Sequence, residues 1–300
     1  MFNIGRNKTL LSQADKPFGR PFVLAAPAIL WLLVFVVAPV GLVVTMSFWR
    51  STIFGTTADF SFANYARIIE TPLYREQLLK TLRIALMTTT FALVISYPIA
   101  FFLSRLRGPA KGLFVVLLFL PFWTSYVVRT FVWLPILGRN GAINQFLLYF
   151  GIIENPLDWL LYNEGAVFVG LVYVYTLYMT LPIYLSLEKI DPALAEAASD
   201  LGGRPSQVFW RVILPLSWPG VLSGSIMVFL LSVGAYVTPQ LLGGPSGIMF
   251  GNVIASQFLS NNNWALGAAL AVSLVVIVLV LLAAASRWMG INQIFSGGRS

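Results

Sequence analysis

Side chains able to do chemistry are scarce in this chain, and their placement excludes more than it offers. It holds no cysteine and no histidine. Disulfides, thiolate metal sites and thiol nucleophiles are therefore out, and so is the side chain whose ordinary pKa lies nearest neutral pH. The acidic residues stay clear of the long apolar runs: none falls between Glu76 and Glu154, and none follows Asp200. No apolar run thus carries a group that relays protons, as proton-coupled carriers require. No Gly-Lys dipeptide occurs, which removes nucleotide binding by a Gly-x-x-x-x-Gly-Lys-Ser/Thr loop. No Ser/His/Asp set, metal cluster or carboxylate pair is placed for catalysis. The chain reads as a non-catalytic protein without metal or cofactor.

Five residues in or beside apolar runs remain as candidates for handling a solute. Arg129 is the one charge well inside such a run. Either it serves a pathway or gate, or it is structural and snorkels to the outer interface, since it stands ~25 Å along a helix counted from Gly112. Trp123, Tyr126 and Tyr236, with Trp133, offer ring faces to an organic cation. The same aromatic residues also suit interface belts and helix packing.

A different kind of site is written into the segment from Asp191 to Pro205. Asp191 suits an N-cap and Pro192 the first helical position; an alanine-rich run follows. Gly202 and Gly203 supply the stop, and Pro205 prevents continuation. Leu194 and Leu201 give apolar anchors at helical spacing, and the alanines give a smooth face for close approach. A further helix is predicted from near Ser206 into the next apolar run, broken by Pro215. A short helix joined to a span is a handle by which an external machine moves it. An ordinary interfacial connector fits the same residues.

These segments must be positioned by a membrane. Of 300 residues 58% are hydrophobic and 10% charged, against about 25% charged in a soluble domain. Six stretches approach the ~20 apolar residues that cross a bilayer: Phe22–Phe48, Leu78–Leu103, Gly112–Leu137, Ala166–Leu187, Trp218–Leu242 and Trp264–Trp288. The first exceeds a signal-peptide core and reads as an uncleaved span. The net charge of +8 is the excess that inner-face loops collect, not a nucleic-acid footprint. Arg6, Lys8, Lys16 and Arg20 in the N-terminal tail, and Arg105, Arg107 and Lys111 after the second span, put both termini and that loop in the cytoplasm. The loop before the fifth span must then be cytoplasmic too, yet it is not net basic, so something other than topology shapes its sequence.

At this point the sequence resembles a family. Glu196-Ala197-Ala198, three residues, Gly202, nine residues, then Val212-Ile213-Leu214-Pro215 is similar to the Glu-Ala-Ala loop of ATP-binding-cassette (ABC) importer permeases. The resemblance runs on through Asn64-Tyr65, Tyr74, Thr81-Leu82, Tyr97-Pro98-Ile99-Ala100, Asn140 to Asn144, Thr238 to Gly244, Gly251 to Ile254 and Asn263 to Ala269, which look like the polyamine-type, spermidine/putrescine branch. One departure is Ala235, where some polyamine permeases carry an acid before the aromatic.

The resemblance implies an all-α membrane protein with six transmembrane helices and the type I ABC importer permease (MetI-like) fold. It implies a permease subunit in the bacterial inner membrane, importing a small solute, a polyamine first, with an amino-acid derivative or organic anion as the alternative. Glu196, Ala197, Ala198, Gly202, Leu214 and Pro215 would couple it to a cytoplasmic ABC ATPase dimer. A second permease subunit, forming a heterodimer, and an extracytoplasmic solute-binding protein would complete the assembly, with lipid around it and no nucleic acid. The expected organisation is a basic N-terminal tail (1–21), a six-span domain (22–288) with a coupling loop (189–216), and a C-terminal tail (289–300). The residues alone leave open a stand-alone channel or ion-coupled carrier and a non-transporting scaffold.

Overall fold

The computed structural model describes residues 19–52 and 55–288; the tail expected at 1–21 lies almost wholly, and that at 289–300 wholly, outside the described residues. In chain order the helices are α1 (Ala25–Met46), α2 (Ala63–Glu70), α3 (Pro72–Arg105), α4 (Pro109–Phe119), α5 (Tyr126–Phe131), α6 (Trp133–Leu137), α7 (Ala142–Tyr149), α8 (Glu164–Glu188), α9 (Pro192–Asp200), α10 (Pro205–Val233), α11 (Val237–Leu242), α12 (Phe250–Leu259) and α13 (Trp264–Trp288). A small hairpin pairs Arg50–Thr52 with Gly55–Thr57. Among the described residues five helices are long and apolar enough to cross a bilayer, α1, α3, α8, α10 and α13, and a sixth span is present if the bent pair beginning at α4 counts as one.

The core is the mutual packing of α3, α8 and α10. It is closed by small residues. At Gly220 an added Cβ would lie 2.4 Å from Ser186 Cβ and 2.6 Å from the Pro182 carbonyl oxygen, so α8 and α10 touch backbone to backbone there. Without a hydrophobic drive between helices in lipid, such close approach and buried polar pins hold a bundle together. Ser96 Oγ donates to the Thr176 carbonyl at 2.9 Å, and Tyr97 and Ser217 share a hydrogen bond of 2.9 Å. α13 packs on α1 and α12 at the side.

Three expectations are corrected. The third span is not straight from Gly112 to Leu137: the helix beginning at Pro109 ends at Trp123, and the chain restarts at Tyr126 at 94° to it. Thr124 and Ser125 are extended. The Pro121 carbonyl accepts from both the Thr124 amide (3.2 Å) and its hydroxyl (2.8 Å), which seals the helix end before the turn. The fifth span does not run from Trp218 to Leu242. It begins at Pro205 and stops at Val233, after which Gly234–Tyr236 breaks it from α11. Pro215 does not break it either. A π-helical turn, Phe209–Ile213, directly precedes Leu214-Pro215. A proline removes one backbone donor and crowds the carbonyl four residues back; the wider π turn accommodates both and keeps α10 continuous. The same device, Leu33–Val37, precedes Pro39 in the first span.

The polar residues of the motif-like segments are the joints of this fold. Asn64 Nδ2 donates to the Ser47 and Trp49 carbonyls where α1 ends. Thr81 Oγ1 accepts from the Phe250 amide at 2.8 Å, docking the start of α12 on α3. Asn144 pins the loop before α8 by exchanging two hydrogen bonds with Leu157. Asn263 accepts from the Leu266 amide at the start of α13.

Candidate functional site

Asp191 caps α9 by accepting from the Ala193 amide at 2.9 Å, with Pro192 in the first turn. At the other end Gly202 adopts φ +85°, the left-handed conformation that only glycine takes without strain. The Gly203 amide then reaches back to the Ala198 carbonyl (3.1 Å) and the Gly202 amide to Ser199 (2.9 Å). These are the two bonds of a Schellman stop. Gly203 is needed as well, since a Cβ there would lie 2.6 Å from the Ala198 oxygen. The paired glycines therefore do two jobs: one turns the chain, the other lets it pass under the helix end.

One face of α9 is committed to the bundle. Ala195 and Ala198 pack against the core cluster that includes Leu187, Val208 and Ile213. Ala198 thus serves the chain's own packing, and the face offered outward is Leu194, Ala197, Leu201 and Glu196. Leu201 is 91% exposed and Leu194 49%. Among the described residues no hydrogen bond or ion pair holds the Glu196 carboxylate. Leu214 and Pro215 lie apart from that face, on α10, where with Trp218 and Pro219 they line a shallow apolar hollow. They directly follow the π turn Phe209–Ile213 of α10.

The residues around α9 tie it to the spans. Lys111, at the start of α4, donates to Glu188, the last residue of α8 and directly before the loop into α9. Arg105, Arg107, Lys111, Glu188 and Asp191 line a cavity of 200 Å³ beside Ala195. α9 is thus joined to α8 by a short loop, to α10 by packing, and through the Glu188–Lys111 pair to α4.

Four of the five residues expected along a path separate into three places. Tyr126 and Arg129 lie on α5, beyond the bend. Tyr126 shares a hydrogen bond of 2.7 Å with Thr238 of α11, and Thr130 approaches Thr238 at 3.4 Å. Tyr236 stands at the break between α10 and α11, lining a cavity at the end of the molecule opposite α9. Trp123 is 83% exposed and joins neither group. Thr238 is the member of this seam that composition could not single out; its only signal was a Thr-Pro step.

Arg129 corrects the expectation that it snorkels. The bend carries it back into the bundle, where it is 6% exposed, and its guanidinium lies 5.8 Å from the Phe122 ring centroid. Neither Nε nor Nη1 meets an acceptor among the described residues. A buried cation whose donors lack acceptors is costly, and even buried ion pairs are often replaced by apolar residues with no loss or with a gain of about 1–4 kcal/mol. Orphaned donors that a second conformation could satisfy bias a two-state equilibrium. Arg129→Leu is thus expected to hold or raise the melting temperature of the purified protein while uptake falls about tenfold, the effect of ~1.4 kcal/mol on that balance. A lower melting temperature with unchanged uptake would show a purely structural arginine.

Residues 18–289 match the family described as "Binding-protein-dependent transport system inner membrane component". The chain is 38% identical over 253 residues to the spermidine/putrescine transport system permease protein PotB of Escherichia coli K12, covering 84% of this chain and 91% of that one. It is 37% identical to PotB of Haemophilus influenzae over the same length, with 88% of that chain covered. In fold it is similar to a chain of a bacterial alginate ABC transporter solved with an alginate pentasaccharide-bound periplasmic protein. That likeness has a TM-score of 0.67 and 16% identity, over 89% of this chain and 93% of the other.

Proposed function

We propose a function from one premise: the chain belongs to the family of binding-protein-dependent transport system inner membrane components. It is a multi-pass inner-membrane permease subunit of an ABC importer and is itself non-catalytic. Its substrate is a polyamine, putrescine or spermidine. The observation that carries the substrate is the likeness to the PotB proteins over 84% of the chain. The observation that supports the coupling role is α9: a helix capped at both ends, fixed by its alanine face, with Glu196, unpaired among the described residues, and the bare Leu201 turned outward.

The mechanism follows from that geometry. An ATPase dimer grips the outer face of α9 through Glu196, Ala197 and the turn at Gly202, while Ala198 transmits the push inward. Closure of the dimer tilts α8 and α10, which move as one because their backbones touch at Gly220. The break at Thr124–Ser125 and the break at Gly234–Tyr236 lie on either side of the Tyr126–Thr238 bond, so these two jointed segments change shape as the bundle tilts. Ligand release by a periplasmic binding protein at the end opposite α9 supplies the solute; the alginate transporter, solved with its periplasmic protein, supports such a partner. A second permease subunit of the same fold completes a heterodimer. Both termini, the coupling loop 189–216 and α9 face the cytoplasm, in keeping with the basic residues Arg105, Arg107 and Lys111 beside it.

Cells lacking polyamine uptake, given this chain with an ABC ATPase, a second permease and a solute-binding protein of the same transport system, are expected to accumulate radiolabelled putrescine only when the ATPase hydrolyses ATP. Accumulation at full rate with a hydrolysis-dead ATPase would refute the mechanism. Failure to accumulate putrescine, with uptake of another solute intact, would refute the substrate.

A further inference from the structure

At the end opposite α9 a cavity of 440 Å³ opens between the first turns of α3 and the α11–α12 segment. Its size is that of a small-molecule site. Its lining contains no Asp, Glu, Lys or Arg. What lines it instead is a ring of neutral polar groups, Gln77, Tyr236, Gln240, Gln257 and Asn261 among them. Asn252 is part of the wall and is fully used by the fold: its Nδ2 donates to the Tyr236 carbonyl (3.0 Å) and to Gln240 Oε1 (3.1 Å), and its Oδ1 accepts from the Met249 amide (3.1 Å). That network fixes Tyr236 and Gln240 in place from behind.

Gln77 is different. Its Oε1 is buried and has no donor among the described residues. That unmet acceptor costs free energy, which is recovered when the carboxamide of Gln77, a residue lining the cavity, turns its oxygen toward a donating ligand there. The unmet group is an oxygen, so the complementary ligand brings N–H or O–H. A primary ammonium brings three donors and no acceptor, and the exposed part of the Tyr236 ring suits its charge. Neutral oxygens also suit a site that must release what it takes, since conduction needs sites favourable enough to enter and weak enough to leave.

We propose that this cavity is an entry site for a protonated primary amine, held by the Gln77 carbonyl oxygen and the Tyr236 ring and by no carboxylate. The inference rests on the polyamine reading above and assigns it a place. The ammonium enters where the binding protein delivers it, at the end where α10 stops and α11 begins. Movement of that break during the transport cycle withdraws Tyr236 and releases the amine inward.

The test is equilibrium binding of radiolabelled putrescine to the purified transporter complex without its binding protein. Gln77→Leu is expected to weaken binding about tenfold, the cost of a hydrogen bond to a charged donor. Gln77→Glu is expected to tighten binding and slow the maximal uptake rate. Because the Gln77 oxygen bonds nothing among the described residues, neither change removes a contact seen in the fold, and unaltered melting temperatures check this. Equal putrescine binding in all three proteins, or equal displacement of the label by a polyol such as mannitol, would overturn the proposal. Altered binding in the variants, in a complex that imports no putrescine, would leave the site standing and remove the substrate reading. Import with unaltered binding would do the reverse.

Discussion

Glu196→Lys is expected to abolish ATP-driven uptake and to strip the ATPase from the purified complex, with the membrane bundle intact. The carboxylate stands on the outward face of α9 without a partner among the described residues, so nothing in the fold depends on it. Reversing its charge against a partner surface shaped for an acid costs several kcal/mol. A loss of about 3 kcal/mol lowers the assembly constant by more than ~100-fold, enough to lose the ATPase during purification. The measurement is the ratio of ATPase to permease after affinity capture of this chain, beside its melting temperature. Gly202→Val serves as the paired variant. Its φ of +85° is a conformation that costs a residue with a Cβ roughly 1–2 kcal/mol, and a β-branched one more. It is expected to unseat the stop of α9 and lower assembly without touching Glu196. A normal ATPase ratio in both variants would show that α9 is a connector and that the machine is gripped elsewhere.

Gly220→Leu is expected to destroy the bundle itself. The new side chain would start 2.4 Å from Ser186 Cβ, 2.6 Å from the Pro182 oxygen and 3.1 Å from Ile183 Cα. Two of these atoms are backbone, which no rotamer change moves. Overpacking a tight core typically costs about 1–3 kcal/mol, and here the relief requires α8 and α10 to separate along the seam that anchors both. A cost at or above the upper end of that range is expected, read as loss of the folded protein from detergent extracts or a fall of many degrees in melting temperature. Gly112→Leu is the control: nothing lies within 4 Å of its Cβ position, and it should accumulate normally. Equal yields of the two variants would show that the α8–α10 contact carries little of the stability.

The contrast between these glycines shows where sequence and structure part. Composition and the spacing of apolar runs were enough for a helical membrane protein, because a chain with so few charges has no other way to satisfy its backbone in lipid. The segment from Asp191 to Gly203 was legible residue by residue, because its signals are local: a capping side chain, a proline in the first turn, two glycines at the stop. Its direction was not. Which alanines turn inward depends on the core that α8 and α10 present, so only packing could assign Ala198 to the bundle and leave Glu196 and Leu201 bare.

The spans divide in the same way. Pro215 was read as a break because proline is judged from its own missing donor. The π turn that absorbs it is set by the residues before it and by the neighbours of α10. The bend at Thr124–Ser125 escaped notice because both sides of it are apolar, and hydropathy has no term for direction. That bend alone moves Arg129 from a snorkelling position to a buried one with orphaned donors.

By itself the sequence determined that this chain lives in lipid, catalyses nothing with thiol or imidazole, and carries a short capped helix before its fifth span, since each of these rests on residue identity or on contacts within a few positions. The tertiary structure alone decided which face of that helix is free, where Arg129 lies, and that Gln77, Tyr236 and Gln240 share one cavity. The last of these joins residues more than a hundred positions apart, and close packing, not local preference, decides all three.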